Sequence, residues 1–186
     1  MKLLITDRDG VVLRHIPPYV LRWSDVVLMP EAIAAIRNVL DLGGRVAIVS
    51  NQSPVARRLI SMDFVDEVNA HIRETLRAGP DELSFHVCPH IDGGCLCRKP
   101  RPGMLTDALN RHGVEPEHAL MVGDQASDME AAYAASIGAR VQVTGDGTFP
   151  GKAGTHATRV MVHGDFMRAC PSWFADAANP REEAGH

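Results

Sequence analysis

The sequence predicts an α/β fold, a doubly wound parallel sheet, and three observations predict it. Short apolar, β-branched runs recur without the polar alternation of a half-solvated strand, so they read as strands covered on both faces. Each run is followed by a stretch of helical character. The polar clusters that invite a chemical reading each fall just after one of the runs, and open α/β sheets hold their ligands beyond the carboxyl ends of their strands.

The runs, in order, are residues 3–6, 45–50, 84–88, 119–123 and 139–144, with 157–162 as a candidate edge strand. Between the first two, residues 30–42 carry Ile33, Ile36, Val39 and Leu40 at helical spacing, and Gly43-Gly44 supplies the stop. Residues 64–78 repeat the pattern with Val65, Val68, Ile72 and Leu76 on one face. Helices over 104–112 and 128–136 follow, the second closed by Gly138. No repeat or linker divides the chain, so residues 1–175 read as one domain, and 176–186, rich in charge and with a proline, as a frayed tail.

Composition narrows the function classes. With 186 residues and 45% hydrophobic content, the chain has enough apolar material for a sizeable core. Lys+Arg 19 against Asp+Glu 23 gives a net charge of −4 and no basic run, which excludes an electrostatic footprint for nucleic acid or an anionic membrane. No stretch approaches the roughly 18 apolar residues of a membrane span, and Asp7, Arg8 and Asp9 fall where a signal peptide needs its apolar region. A cytoplasmic protein acting on a small molecule is the expectation.

Four clusters carry chemistry. Asp7-Arg8-Asp9-Gly10 leaves the first strand with two carboxylates at i and i+2, which extended backbone turns to the same side. One can attack as a nucleophile while the other trades a proton with the leaving group and then with water; an Asp-rich turn would look the same. Ser50-Asn51-Gln52 ends the next strand, where a hydroxyl and backbone N–H groups suit phosphate oxygens, though a helix cap explains them almost as well. Arg98-Lys99-Pro100-Arg101-Pro102 holds three cations in a stiffened approach to a helix, so Lys99 has a defined place from which to neutralise an anion. Gly123-Asp124 to Asp128 follows the fourth strand; these two acids could merely cap a helix, but with Asp7 and Asp9 they complete an oxygen-ligand Mg²⁺ site.

A fifth cluster is Cys88-x-His90 followed by Cys95-x-Cys97. Four soft or borderline ligands in one loop, with Gly93-Gly94 letting it fold back, make the complement of a closed structural Zn²⁺ site. By contrast His15, His71, His86, His112 and His118 are scattered and read as surface or satisfied core groups. Cys170 reads as a packed thiol, and Met161 and Met167 as core filler.

Taken together, Asp-x-Asp-Gly, Ser-Asn, Lys-Pro and Gly-Asp-x-x-x-Asp, in this order over residues 3–143, resemble the haloacid dehalogenase superfamily of aspartate-nucleophile phosphatases. The resemblance implies that Asp7 forms an aspartyl-phosphate and that Asp9 is the acid and base. It implies that Mg²⁺ is held by Asp7, the Asp9 carbonyl and Asp124 with support from Asp128, and that Ser50 and Lys99 hold the transferring phosphoryl group. The zinc loop makes the chain similar to the small, cap-less branch that acts on heptose bisphosphates and histidinol phosphate. The forty residues between Asp9 and Ser50 are used by a flap and a helix, so specificity falls to loops. The run from Ser50 to Arg57 is closer to the heptose enzymes, with Asn51, Arg57 and Arg98 as expected substrate contacts. The short zinc loop keeps histidinol phosphate as the alternative, and a zinc-stabilised binding module without catalysis is the rival from another class.

Overall fold

The computed structural model of the chain describes residues 1–91, 94–145 and 155–175. Six parallel strands form one sheet in the order β3-β2-β1-β4-β5-β6: β1 (Leu3–Asp7), β2 (Arg45–Asn51), β3 (Leu83–Cys88), β4 (Ala119–Gly123), β5 (Ala139–Thr144) and β6 (Arg159–Val162). The expected edge strand is β6. The chain walks outward from β1 through β2 to β3, then crosses back and walks the other way from β4. The order therefore reverses between β1 and β4, and the crevice at their carboxyl ends is where such a sheet binds ligands.

All of β1 and β4 is buried, and the period of two divides their side chains between two cores. Leu3 and Ile5 pack with Val49, Met121 and helices α4 (Gly103–His112) and α5 (Ala126–Ala134). Leu4 packs with Ile48 and Val122 against α1 (Pro30–Asp41), α3 (Met62–Leu76) and α6 (His163–Ala175). A short helix, α2 (Ser53–Ala56), follows β2 directly.

Two differences from the sequence expectations have local causes. Helix α3 begins two residues before the expected 64, because Ser61 caps it by accepting the Phe64 N–H at 3.1 Å. Helix α6 was not expected at all. Its apolar face is His163, Phe166, Met167, Cys170 and Phe174, a helical spacing that Pro171 inside the run obscures. Gly93 and the segment 176–186, on which two of the expectations fell, lie outside the described residues. Among the described residues, no helix is long and apolar enough to cross a membrane.

The stretch between β1 and α1 doubles back as a flap. The Leu13 N–H bonds to Arg8 O and the Met29 N–H to Val12 O, while Leu13 pairs antiparallel with Leu28. Val11, Val12 and Leu13 are wholly buried and anchor its base. The residues beyond them, His15 to Val20, are thereby carried over the carboxyl end of the sheet.

Candidate active site

At the switch point, four expected residues meet. Asp7 is the last residue of β1, and Asp124 follows β4. Lys99 arrives from the loop before α4 and is 4% exposed. Its Nζ donates to Asp7 Oδ1 at 2.7 Å and to Val49 O at 3.1 Å, and it forms an ion pair with Asp128 Oδ1 at 2.7 Å, the last without hydrogen-bond alignment. The main chain of Lys99 is fixed as firmly as its tip: Asn51 donates Nδ2 to Lys99 O at 3.0 Å and accepts the Lys99 N–H on Oδ1 at 3.1 Å. Both Asn51 amide atoms expected to meet substrate are thus engaged in positioning Lys99.

Asp128 is buried and tied to the start of α5, where its Oδ2 accepts the Gln125 N–H at 3.0 Å and the Gln125 side chain closes a capping box. Gln125 also donates Nε2 to Asp124 Oδ2 at 2.8 Å, and Gln142 donates to Asp124 O at 3.1 Å. Asp124 Oδ1 is buried with no hydrogen-bond partner. Oxygens of Asp7, Asp124 and Asp128 lie within 4.8 Å of one another. Three carboxylates against one ammonium, 3 − 1, leave two negative charges in a buried space, and two carboxylate oxygens, Asp124 Oδ1 and Asp128 Oδ1, lack a hydrogen-bond donor. That donor set fits a hard divalent cation.

The electrostatics agree. Burial raises the Asp7 carboxyl well above the usual carboxylate range, and Asp128, Asp124 and Asp9 add to the rise while Lys99 opposes it. Burial and Asp128 push Asp124 up to about 6. Lys99 is disfavoured as an ion by burial, but Asp128 and Asp7 outweigh this and hold its ammonium above the ordinary value.

Asp9 lies beside this cluster with a different set of partners. Its Oδ2 accepts from Gln52 Nε2 at 2.7 Å, Ser50 Oγ at 3.2 Å and Arg8 Nε at 3.2 Å. Arg8 is 2% exposed and also donates to Asn69 Oδ1 on α3 at 3.3 Å.

The zinc-type loop begins at the end of β3, where Cys88 pairs in register with Asn51. The ligand atoms of Cys88, His90, Cys95 and Cys97 lie within 4.8 Å of one another, with His90 Nδ1 at 3.5 Å from Cys88 Sγ and 3.4 Å from Cys97 Sγ. Burial pushes the Cys88 thiol up to about 12, while the Arg98 N–H pulls Cys95 down to about 6. A Cβ on Gly103 would collide with Leu96 O, so glycine is required where the loop closes against α4. Arg98 donates to His90 O at 3.2 Å and Arg101 to Cys95 O at 2.8 Å, which joins the loop to the segment carrying Lys99.

A cleft of about 400 Å³ opens over the cluster. It is walled by Asp7, Asp9, Ser50, Lys99 and Asp124, with Arg98 on the zinc-loop side and His15 and Tyr19 on the flap. Arg57 is not brought to it; that side chain is exposed at the end of α2. His15, read from the sequence as a surface or satisfied core histidine, is partly exposed and lines the cleft. Tyr19 is not among the sequence candidates, and Gln52 is there only as part of the Ser50 cluster, with no role for its side chain. The path of the flap, which no local spacing encodes, is what delivers His15 and Tyr19.

Fold and site together define a haloacid dehalogenase-like hydrolase: the sequence model of that family matches residues 1–136, and the chain belongs to it. It is a phosphatase by this membership and by its relatives. The D-glycero-beta-D-manno-heptose-1,7-bisphosphate 7-phosphatase of Pseudomonas aeruginosa is 36% identical over 147 residues, covering 78% of this chain and 83% of that protein. The D-glycero-alpha-D-manno-heptose-1,7-bisphosphate 7-phosphatase of Mycobacterium tuberculosis is 36% identical over 150 residues, covering 76% and 79%. The crystal structure of D,D-heptose 1,7-bisphosphate phosphatase from B. bronchiseptica, complexed with magnesium and phosphate, superposes with a TM-score of 0.76 at 30% identity over 90% of this chain and 97% of that one.

Proposed function

We propose that this chain removes the 7-phosphate of a D-glycero-D-manno-heptose 1,7-bisphosphate through an aspartyl-phosphate on Asp7. The observation that carries the chemistry is the Asp7 carboxylate at 2.7 Å from the Lys99 ammonium, buried beneath an open cleft with Asp9 at its side. An Asp7 oxygen attacks phosphorus, the bond from phosphorus to the sugar oxygen breaks, and Asp9 gives its proton to that oxygen. Water, deprotonated by Asp9, then attacks phosphorus; the Asp7–phosphorus bond breaks, inorganic phosphate leaves, and Asp9 is again protonated. Lys99 and the Ser50 hydroxyl hold the phosphoryl oxygens through both steps.

Asp7, the Asp9 carbonyl and Asp124, supported by Asp128, are the groups that would hold Mg²⁺. When bound, the ion neutralises charge that otherwise keeps an anionic nucleophile from an anionic ester. Cys88, His90, Cys95 and Cys97 would hold Zn²⁺ in a closed, structural set that orders the segment leading to Arg98 and Lys99.

Support for the heptose reading comes from the relatives' substrates and from Arg98, which places a guanidinium on the wall of the cleft that a second phosphate would enter. Phosphate release across both anomers of the heptose bisphosphate, histidinol phosphate and simple sugar monophosphates tests it. The bisphosphate should have the highest kcat/KM, and Arg98→Ala should remove about ten- to a hundredfold of its advantage over the monophosphate. Histidinol phosphate as the best substrate would replace the heptose reading, and no phosphate release from any ester would leave a binding module.

A further inference from the structure

The two oxygens of Asp9 are held very unequally. Oδ2 receives Gln52, Ser50 and Arg8, whereas among the described residues Oδ1 receives one long bond, from an Arg8 terminal nitrogen at 3.4 Å. Oδ1 is therefore the oxygen left for proton transfer. The support on Oδ2 is not equally durable. Ser50 has a single hydroxyl proton, here given to Asp9 at 3.2 Å, and a phosphoryl oxygen held by Ser50 needs that same proton. Once substrate takes it, Asp9 depends on Arg8 and Gln52.

Gln52 is built for this. Its amide nitrogen lies 2.7 Å from both Asp9 Oδ2 and Ser50 Oγ, one N–H for each acceptor. The side chain is 4% exposed, and its backbone N–H is bonded to Cys88 O at 2.7 Å. It thus leaves the main chain from a fixed point between the ends of β2 and β3. By filling a lone pair on Ser50 it also turns the hydroxyl proton outward, toward either Asp9 or a ligand.

We propose that Gln52 is a positioning residue of the phosphatase reaction, holding Asp9 through Oδ2 so that Oδ1 delivers the proton while the Ser50 hydroxyl is given over to the phosphoryl group. The inference rests on the acid and base role proposed above for Asp9. It makes a demand that a merely structural glutamine would not meet. An alkoxide leaving group needs a well-placed proton, whereas nitrophenolate departs without one. Gln52→Leu should therefore lose about ten- to a hundredfold in the first turnover of a sugar phosphate, with the first turnover of p-nitrophenyl phosphate within about threefold of native.

The experiment measures rapid-quench first-turnover rates for both esters with the native protein, Asp9→Asn, Gln52→Leu and Gln52→Glu. The alkyl-to-aryl ratio is internal to each preparation, so partial unfolding cancels from it. Gln52→Glu preserves the shape of the side chain and guards against a packing defect in the leucine variant. A selective alkyl loss in both Gln52 variants, smaller than that of Asp9→Asn, supports the inference. Equal loss on both esters, or no loss, overturns it while leaving Asp9 in its role. An Asp9→Asn variant with no selectivity would instead bring down the acid and base assignment, and the inference with it.

Discussion

At Gly10 the backbone takes φ +98° and a Cβ would run into the Asp124 carboxylate. The second Asp of the pair and the metal-type carboxylate across the switch point can approach because the residue between them has no side chain. Gly10→Ala should therefore act on Asp124 before it acts on Asp7. If Mg²⁺ binds as proposed, the expected signature is a loss of the thermal stabilisation seen on adding Mg²⁺ to the native protein, with a fall in kcat of tenfold or more; unchanged Mg²⁺ stabilisation would show that Asp124 tolerates the displacement. Asn51 makes a second test. Both its amide atoms serve Lys99, so Asn51→Ala should lower kcat by about tenfold, the scale of two hydrogen bonds to a positioned group, and leave KM nearly constant. A KM effect alone would return Asn51 to the substrate contacts. The meeting of Asp7, Lys99, Asp124 and Asp128 was legible in the sequence, because clusters that follow buried strands fall at the carboxyl edge of an open α/β sheet. Gln52 and His15 were not. A glutamine after a strand and a histidine in a loop carry no such mark, and their roles exist only once the flap and the end of β2 are folded together.

Among the elements, β3 and α4 are joined by a polar clasp as well as by apolar packing. Ser84 Oγ lies 3.0 Å from His86 Nε2 and 2.8 Å from His112 Nε2, a chain that a hydroxyl satisfies by donating to one neutral ring and accepting from the other. Burial lowers the pKa of both rings. For His86, Arg111 adds to this and Asp107 opposes it; for His112, His86, Arg111 and Arg45 add and Asp81 opposes. The sign follows from linkage. The unfolded chain takes up protons first, so the contribution of these histidines is complete above the ordinary value of 6.5 and declines as pH falls below it. Denaturant titrations on either side of that value should show lower stability on the acid side, and replacing both histidines with glutamine should flatten the difference. An undiminished slope in the double variant would assign the acid sensitivity elsewhere. This clasp spans two elements that lead into the zinc-type loop and out of the Lys99 segment. Their existence was plain from apolar spacing, but their joining was not, because hydrogen bonds between elements leave no periodic trace.

For the whole molecule, the family match covers β1 to β4, while residues beyond 136 supply β5, β6 and α6. Helix α6 is the piece that sequence periodicity concealed behind Pro171, and it covers the same core face as α1. Phe174 is 1% exposed in that core, and at Gly44 a Cβ would sit only 2.8 Å from its ring, so the chain after α1 is shaped to the helix. The other end of α6 touches the flap: His163, 3% exposed, lies with Nε2 at 2.8 Å from Val11 O, one residue after Gly10. One helix thus has a stability end and a site end, and the two should separate on mutation. Phe174→Ala should destabilise the fold by about 3 to 5 kcal/mol, the range for emptying a buried aromatic site, with kcat and KM per folded molecule unchanged. His163→Leu removes the donor to Val11 O and should raise KM for the sugar phosphate several-fold as the flap base loosens, with a smaller stability change because the apolar volume is kept. Equilibrium unfolding paired with steady-state kinetics on the two variants decides the matter. If Phe174→Ala alters KM as much as His163→Leu does, α6 acts as one rigid unit on the flap, and the division between its ends is wrong.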